Sequence, residues 1–267
     1  LAKRKTPFFI FFIFWLSLTA LTISALYPKQ VKALIRKIYY TFKGSVKDRR
    51  HHNLWSYGVR IPANYQVYGI DVSHYQDDID WQELSKMNIR GIRLQFAFIK
   101  ATEGATYQDR FFVKNWGEAK QAGLLCGAYH YFKPGVSGKD QAENFIQTVK
   151  LEKGDLPPVL DFEVLEGESR KEVISEAKIW LNSVEKAFKI KPIIYSSRNF
   201  YREFLQAELS DYPLWVAHYQ VPRPGLAENQ WLFWQFTEKA TVNGVNGSAD
   251  LNVFNGSWAD LNNLTKK

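Results

Sequence analysis

The chain has one cysteine, Cys126, among 267 residues. A single thiol excludes an internal disulfide, which by itself neither supports nor excludes export. Cys126 lies in the apolar run Leu124-Leu125-Cys126-Gly127-Ala128, so it reads as a buried, inert thiol and not a nucleophile. Acidic residues are nearly missing from the first 60 positions. Twelve Lys/Arg stand there against Asp48 alone, a net of +11, whereas residues 61–267 hold 23 Lys/Arg and 26 acids, a net of −3. The +8 of the whole chain thus belongs to an N-terminal arm. The rest lacks the basic surplus that phosphate contacts require, which argues against a nucleic-acid partner. Internal repeats and low-complexity tracts are absent as well. His51 and His52 lack the carboxylate or cysteine neighbours of a metal site, so no metal and no cofactor is expected.

One long charge-free run is present. Lys3-Arg4-Lys5 precede Phe8 to Leu26, nineteen residues without a charge, long enough to span a bilayer and longer than a usual signal-peptide core. Residues 1–28 are therefore expected to be an uncleaved signal anchor or transmembrane segment, with cleavage after Ser24 or Ala25 as the second possibility. The chain would be membrane-anchored through Phe8 to Leu26 with its C-terminal part on the extracytoplasmic side, or secreted if cleaved. Residues 29–64 form a basic connector. Val31, Leu34, Ile35 and Ile38 recur there at helical spacing, and Lys47 to His52 reads as a solvated linker.

From residue 65 to 267 strand-like and helix-like segments alternate. Strands are expected at Val67–Ser73, Gln95–Lys100, Leu124–Phe132, Val159–Phe162, Pro192–Ser196, Leu214–Tyr219, Leu232–Phe236 and Ala249–Val253. Helices are expected at Trp81–Met87, about Gln108–Gln121, Lys139–Val149 capped by Ser137, after a capping box at Ser169-Arg170-Lys171-Glu172, and at Asn199–Leu205. Repeated strand–helix units imply parallel strands with right-handed crossovers, and eight strands in about 190 residues suggest a (β/α) TIM-like barrel. With no clear helix between the last two strands, it is an irregular one.

In such barrels the active residues lie at the C-terminal ends of strands. Pro157-Pro158-Val159-Leu160-Asp161-Phe162-Glu163 ends an apolar run in two carboxylates spaced i, i+2, which share one face of a strand. Like charges that close resist double ionisation, so one holds its proton to higher pH. A proton donor beside a charged stabiliser is what glycoside cleavage needs. Other strand ends add Asp71, His74, Lys100, Glu103, His130, Tyr131, Tyr195, His218, Tyr219, Gln235 and Asp250. His130 reads as a hydrogen-bonded structural histidine. The chain has nine Trp and fourteen Tyr, and such rings either fill cores or stack on sugar faces. Tyr131, Tyr195, Trp215, Tyr219 and Gln235 are the candidates for substrate binding, with core packing nearly as good an account of Trp215.

Tyr68-Gly69-Ile70-Asp71-Val72-Ser73-His74-Tyr75-Gln76 resembles the opening motif of glycoside hydrolase family 25, the N-acetylmuramidase lysozymes. Phe98-Ile99-Lys100-Ala101-Thr102-Glu103-Gly104, Gly127-Ala128-Tyr129-His130-Tyr131-Phe132 and Leu160-Asp161-Phe162-Glu163 resemble the next three. Leu214-Trp215-Val216-Ala217-His218-Tyr219, Trp234-Gln235-Phe236-Thr237 and Ala249-Asp250-Leu251-Asn252 complete the order. The resemblance spans roughly residues 66–257. It implies cleavage of β-1,4 bonds between N-acetylmuramic acid and N-acetylglucosamine in peptidoglycan strands, with Glu163 as general acid and Asp71, Asp161 and Asp250 as the other acidic residues. The i, i+2 pair suits a retaining, substrate-assisted route, while Asp71 or Asp250 remain open as nucleophile or charge tuner. Three other readings stand beside it: a tethered module that binds wall glycan without cutting it, a glycosidase of another amino sugar, and a membrane assembly factor.

Overall fold

The computed structural model describes residues 51–54, 59–62, 64–89 and 91–267. The run Phe8 to Leu26 and the helical spacing after it lie outside the described residues, among which no helix is long and apolar enough to cross a membrane. Twelve strands are described: β1 (His51–Leu54), β2 (Val59–Pro62), β3 (Val67–Val72), β4 (Asn88–Ile89), β5 (Ile92–Glu103), β6 (Tyr107–Gln108), β7 (Leu125–Tyr131), β8 (Val159–Asp161), β9 (Ile193–Ser197), β10 (Leu214–Ala217), β11 (Phe233–Ala240) and β12 (Ala249–Phe254). Eight of them close a barrel in the order β3-β5-β7-β8-β9-β10-β11-β12, with β12 returning to β3. All eight expected barrel strands are present. Their direction differs at one point, since β12 runs antiparallel to both β11 and β3. No helix lies between β11 and β12, and a parallel strand would need a long crossover that the eight intervening residues cannot make.

The eight barrel strands are largely buried on both faces. On β5, Phe96 and Phe98 join the barrel interior, while Ala97, Ile99 and Ala101 belong to the outer layer under the helices. Residues two apart share a face, so the interior is built in layers. Val67, Phe96, Val159, Ile193, Phe233 and Phe254 belong to its apolar part, with Phe98 stacked on Trp215 at 4.6 Å. Gly69 and Gly127 sit beneath those rings. A Cβ on either would lie 2.4 Å from Phe96 or Phe98, so the close approach requires glycine.

The outer layer is helical: α1 (Trp81–Lys86), α2 (Phe112–Gln121), α3 (Gly138–Thr148) and α4 (Arg170–Phe188). In α4, Val173, Ile174, Ala177, Trp180, Leu181, Val184 and Phe188 are buried, a stripe at helical spacing. Full burial of one such large side chain is worth about 1.5–3 kcal/mol. The Ser137 hydroxyl caps α3 by accepting from Asp140 N at 3.3 Å. Ser169 precedes α4 but makes no side-chain cap bond, so the expected capping box does not form. Residues 198–209 are helical, with a π turn at Tyr201–Leu205, longer than the helix expected at Asn199–Leu205. A last helix, α5 (Trp258–Leu264), follows β12. The solvated linker expected through His52 ends earlier, since His51–Leu54 pairs antiparallel with Val59–Pro62 and Ile61 is buried in the outer core.

Candidate active site

Above the apolar layers, the same inward rows end in carboxylates. On β3 the row 67-69-71 ends at Asp71. On β8 the row 159-161 continues past the strand to Glu163. On β12 the row 254-252-250 ends at Asp250. Because β12 is antiparallel, Asp250 comes from its N-terminal end, not from the C-terminal end expected of a parallel strand. Asp250 and Asp71 are direct cross-strand partners. In the closed order, β8 lies three strands from β3 and four from β12. The pair Asp161/Glu163 therefore faces the pair Asp71/Asp250 across the mouth of the barrel.

The two pairs are held differently. Asp71 is 6% exposed and saturated with donors. Gln235 Nε2 donates to both of its oxygens at 2.9 Å, and Asn252 Nδ2 donates to Oδ1 at 2.6 Å. Gln235 is fixed in turn, since its Oε1 accepts from Tyr195 at 2.7 Å and from Tyr219 at 2.5 Å. Asn252 Oδ1 accepts from Trp215 Nε1 at 2.8 Å. Asp161 is 8% exposed, and its Oδ1 is buried without any hydrogen-bond partner. The carboxyl as a whole shares a hydrogen bond with Glu163, and no amide grips it as Gln235 and Asn252 grip Asp71.

Electrostatics follow from the burial. Desolvation, then Asp250, raises the Asp71 carboxyl well above its ordinary range, against the pull of Asn252 and Gln235. Desolvation, then Glu163, raises Asp161 likewise, with Lys100 opposing. Glu163 is raised chiefly by burial, and Asp250 is pushed up to about 6 by burial, with Glu238 and Glu163 adding to the effect. Each pair thus holds a proton into a pH range where isolated carboxylates have lost theirs.

A cleft of about 410 Å³ opens over this floor, lined among others by Asp71, Asp161, Asp250, Lys100, Tyr129 and Tyr131. Of the residues expected to meet substrate, Tyr131 lines it. Tyr219 is half-buried over Gln235. Tyr195, Gln235 and Trp215 are 6%, 2% and 2% exposed and lie beneath the floor, where they orient the amides that grip Asp71. Trp215 belongs to the barrel interior, not to a sugar platform. His130 is buried on the helix side, against Thr102 Oγ1 at 2.7 Å and Gln141 Oε1 at 3.1 Å. Burial pushes it down to about 3, so it is a neutral structural residue. Lys100, expected at a strand end, lines the cleft, and Asn252 and Tyr129 take part in the site without having been singled out for it. Asn252 was legible, because it stands two residues from Asp250 and therefore on its face.

Glycoside cleavage uses carboxyl groups placed beside the scissile bond, and the barrel mouth gathers four. The sequence pattern of glycosyl hydrolases family 25 matches residues 70–245, and the chain belongs to this family. It is 45% identical to the uncharacterized protein YegX of Escherichia coli K12 over 92% of this chain and 90% of that one. It is 33% identical to Lysozyme M1 of Streptomyces globisporus, over 73% and 70%. Among solved structures, a family 25 glycosyl hydrolase from Bacillus anthracis is similar at 33% identity and TM-score 0.70, covering 82% of this chain and 99% of that one.

Proposed function

We propose that the protein is a muramidase that cleaves β-1,4 bonds between N-acetylmuramic acid and N-acetylglucosamine in peptidoglycan, with Glu163 as general acid. The observation that carries the mechanism is the contrast between the two buried aspartates. Asp71 has both oxygens engaged by amide donors, which suits a charge holder for Asp250 more than a nucleophile. Asp161 has no amide donor on its buried Oδ1 and shares a hydrogen bond with the Glu163 carboxyl. That supports a retaining, substrate-assisted route. The N-acetyl oxygen of the sugar attacks the anomeric carbon while Asp161 accepts the amide N–H and stabilises the cyclic cation. Glu163 gives its proton to the departing glycosidic oxygen. It then takes a proton from the water that opens the ring intermediate. Tyr131 offers a ring face to the glycan at the cleft.

The test is mass spectrometry of peptidoglycan digested by the protein, with Glu163→Gln alongside. Muramic-acid reducing ends in the wild type, lost by about 10²-fold or more in the variant, are expected. Intact glycan with the wild type favours a binding module instead, and an inverted anomer in the product ends the substrate-assisted route. The charge-free run Phe8 to Leu26, with a wall polymer as substrate, supports a membrane anchor and an extracytoplasmic barrel. Carbonate-washed membranes should retain the chain, and its release as a shortened soluble form would speak for cleavage.

A further inference from the structure

Among the described residues the exposed large apolar side chains are Tyr75, Tyr107, Val113, Ile179 and Trp258. Tyr75 is 78% exposed, and it is the one of the five that lines the cleft together with Asp71, Asp161 and Asp250. A phenol ring in water forgoes the burial that stabilises most aromatic side chains. Its support is nevertheless rigid. His74–Gln76 forms one tight turn directly after β3. The Ser73 hydroxyl accepts from Tyr75 N at 3.2 Å, and Gln76 Oε1 accepts from Ser73 N at 2.9 Å. Gln76 Nε2 donates to Ser248 O at 3.3 Å, which ties the turn to the residue before β12. The Tyr75 ring leans on the His74 ring, with centroids 4.2 Å and planes 34° apart. His74 is held in turn by Asp109, whose side chain is 1% exposed. Asp109 Oδ2 accepts from His74 N and from His74 Nδ1, both at 2.9 Å, and Oδ1 accepts from Phe111 N at 2.9 Å. The Tyr107 ring also meets His74 edge-on, at 6.0 Å. A buried carboxylate outside the catalytic floor is thus committed to orienting the ring behind Tyr75.

Asp71 is 6% exposed and Tyr75, four residues on, is at the other extreme, so the chain climbs between them from floor to rim. Tyr75 stands on the Asp71/Asp250 side of the mouth. Tyr131, which also lines the cleft, ends β7, two strands away in the barrel order. A ring held still at the rim of a polar cleft offers an apolar face and no charge. The ligand it fits is a neutral pyranose, whose C–H face packs on such a ring. We propose that Tyr75 is a glycan-binding residue: its ring is the stacking platform for a sugar bound beyond the scissile linkage, so that the protein selects glycan strands over short fragments. This rests on the muramidase reading and adds to it a preference for chain length.

The test titrates purified peptidoglycan glycan fragments of one, two and four disaccharide repeats into the full chain by calorimetry, in a Glu163→Gln background that leaves them uncut. Tyr75→Ala in that background should weaken the four-repeat fragment about three- to tenfold and the one-repeat fragment less than about twofold. Tyr75→Phe should bind like the parent and Tyr75→Trp at least as well, because the ring face is used and not the hydroxyl. Trp258→Ala removes an exposed ring from α5, which follows the opposite end of β12, and should change binding at no length. In the active protein, Tyr75→Ala should raise KM on whole strands by the same factor. A Tyr75→Ala variant that binds the four-repeat fragment as tightly as its parent overturns the proposal. So does equal weakening at every length, which would place Tyr75 at the cleaved linkage, or a Tyr75→Phe variant as weak as Tyr75→Ala, which would make the hydroxyl the contact. A parent that binds no fragment overturns it as well. If Tyr75→Ala does not fold, Tyr75→Gln decides by the same criterion. A wild type that leaves peptidoglycan intact, while Tyr75 still governs binding of the four-repeat fragment, defeats the muramidase reading alone.

Discussion

Removing one carboxylate from the floor should make the protein more stable. Asp250 titrates near 6 in the fold against 3.8 ordinarily. The native state therefore binds its proton more tightly than the unfolded chain does. The sign follows: Asp250 costs nothing below about pH 4, its cost grows as pH rises through 6, and it is complete above. Two units correspond to about 3 kcal/mol. Asn in its place removes that term and relieves the repulsion that helps raise Asp71. Its amide can donate to Asp71 where the shared proton was. The one donor recorded on Asp250, Gln235 Nε2, is long at 3.4 Å, so little is lost. Asp250→Asn should gain about 2–3 kcal/mol at pH 7.5 and almost nothing at pH 4. For a domain of this size that is a rise in Tm on the order of 5–10 °C. Urea unfolding of wild type and variant at both pH values measures it, and comparison at equal pH cancels the titrating groups outside the Asp71/Asp250 pair. A variant less stable than wild type at pH 7.5, or a gain of equal size at pH 4, would refute the reasoning.

His130→Phe keeps a ring against Trp180, 5.4 Å away, but takes the imidazole partner from the buried Thr102 hydroxyl, which should cost about 1–3 kcal/mol at pH 7; Gln141 keeps its bonds to the 133 and 136 backbone. Because His130 falls to about 3 in the fold, its stability contribution is present above about pH 6.5 and is lost as pH falls toward 3. The variant's Tm should therefore drop less steeply over that window. Gly69→Ala forces a methyl into the Phe96 ring and should cost at least about 1–3 kcal/mol in urea unfolding. Trp215→Phe removes the donor to Asn252, so kcat should fall with KM nearly unchanged. A raised KM would return Trp215 to the glycan.

The barrel was legible because its strands are short apolar runs cut by Gly, Pro and polar residues, and the motif residues stand where those runs end. The antiparallel β12 was half-legible: the missing helix before it was visible, and its consequence for direction follows from crossover length. Depth was not legible. Most strands here are buried on both faces, so residues 96–99 all read as apolar and the pattern cannot say which side is the barrel interior. Trp215 and Tyr195 therefore could not be told apart from cleft-lining aromatics. How far a row rises toward the mouth depends on the stagger between strands, which no single strand encodes. The bulge that Ala101 makes in β5 is invisible for the same reason, since it exists only in the register of β5 against β7.

The stagger also answers a difficulty posed by Asp161 and Glu163. Two carboxylates from one strand can approach a bound sugar from one side only, which by itself supplies no opposing group. Closure of the barrel brings Asp71 and Asp250 to the far side, but as a pair already committed. Three amide hydrogen bonds occupy Asp71, and Asp71 in turn holds Asp250. Catalysis gains from an environment set before the reaction begins, and in the proposed mechanism the far pair would supply fixed negative charge for a cationic transition state. In that mechanism the near pair, joined by its own hydrogen bond, keeps the mobile proton. Division of labour between the pairs thus follows from which carboxylate the amides reach, and Gln235 and Asn252 reach Asp71 because β11 and β12 place them side by side, paired in register one layer below the acids.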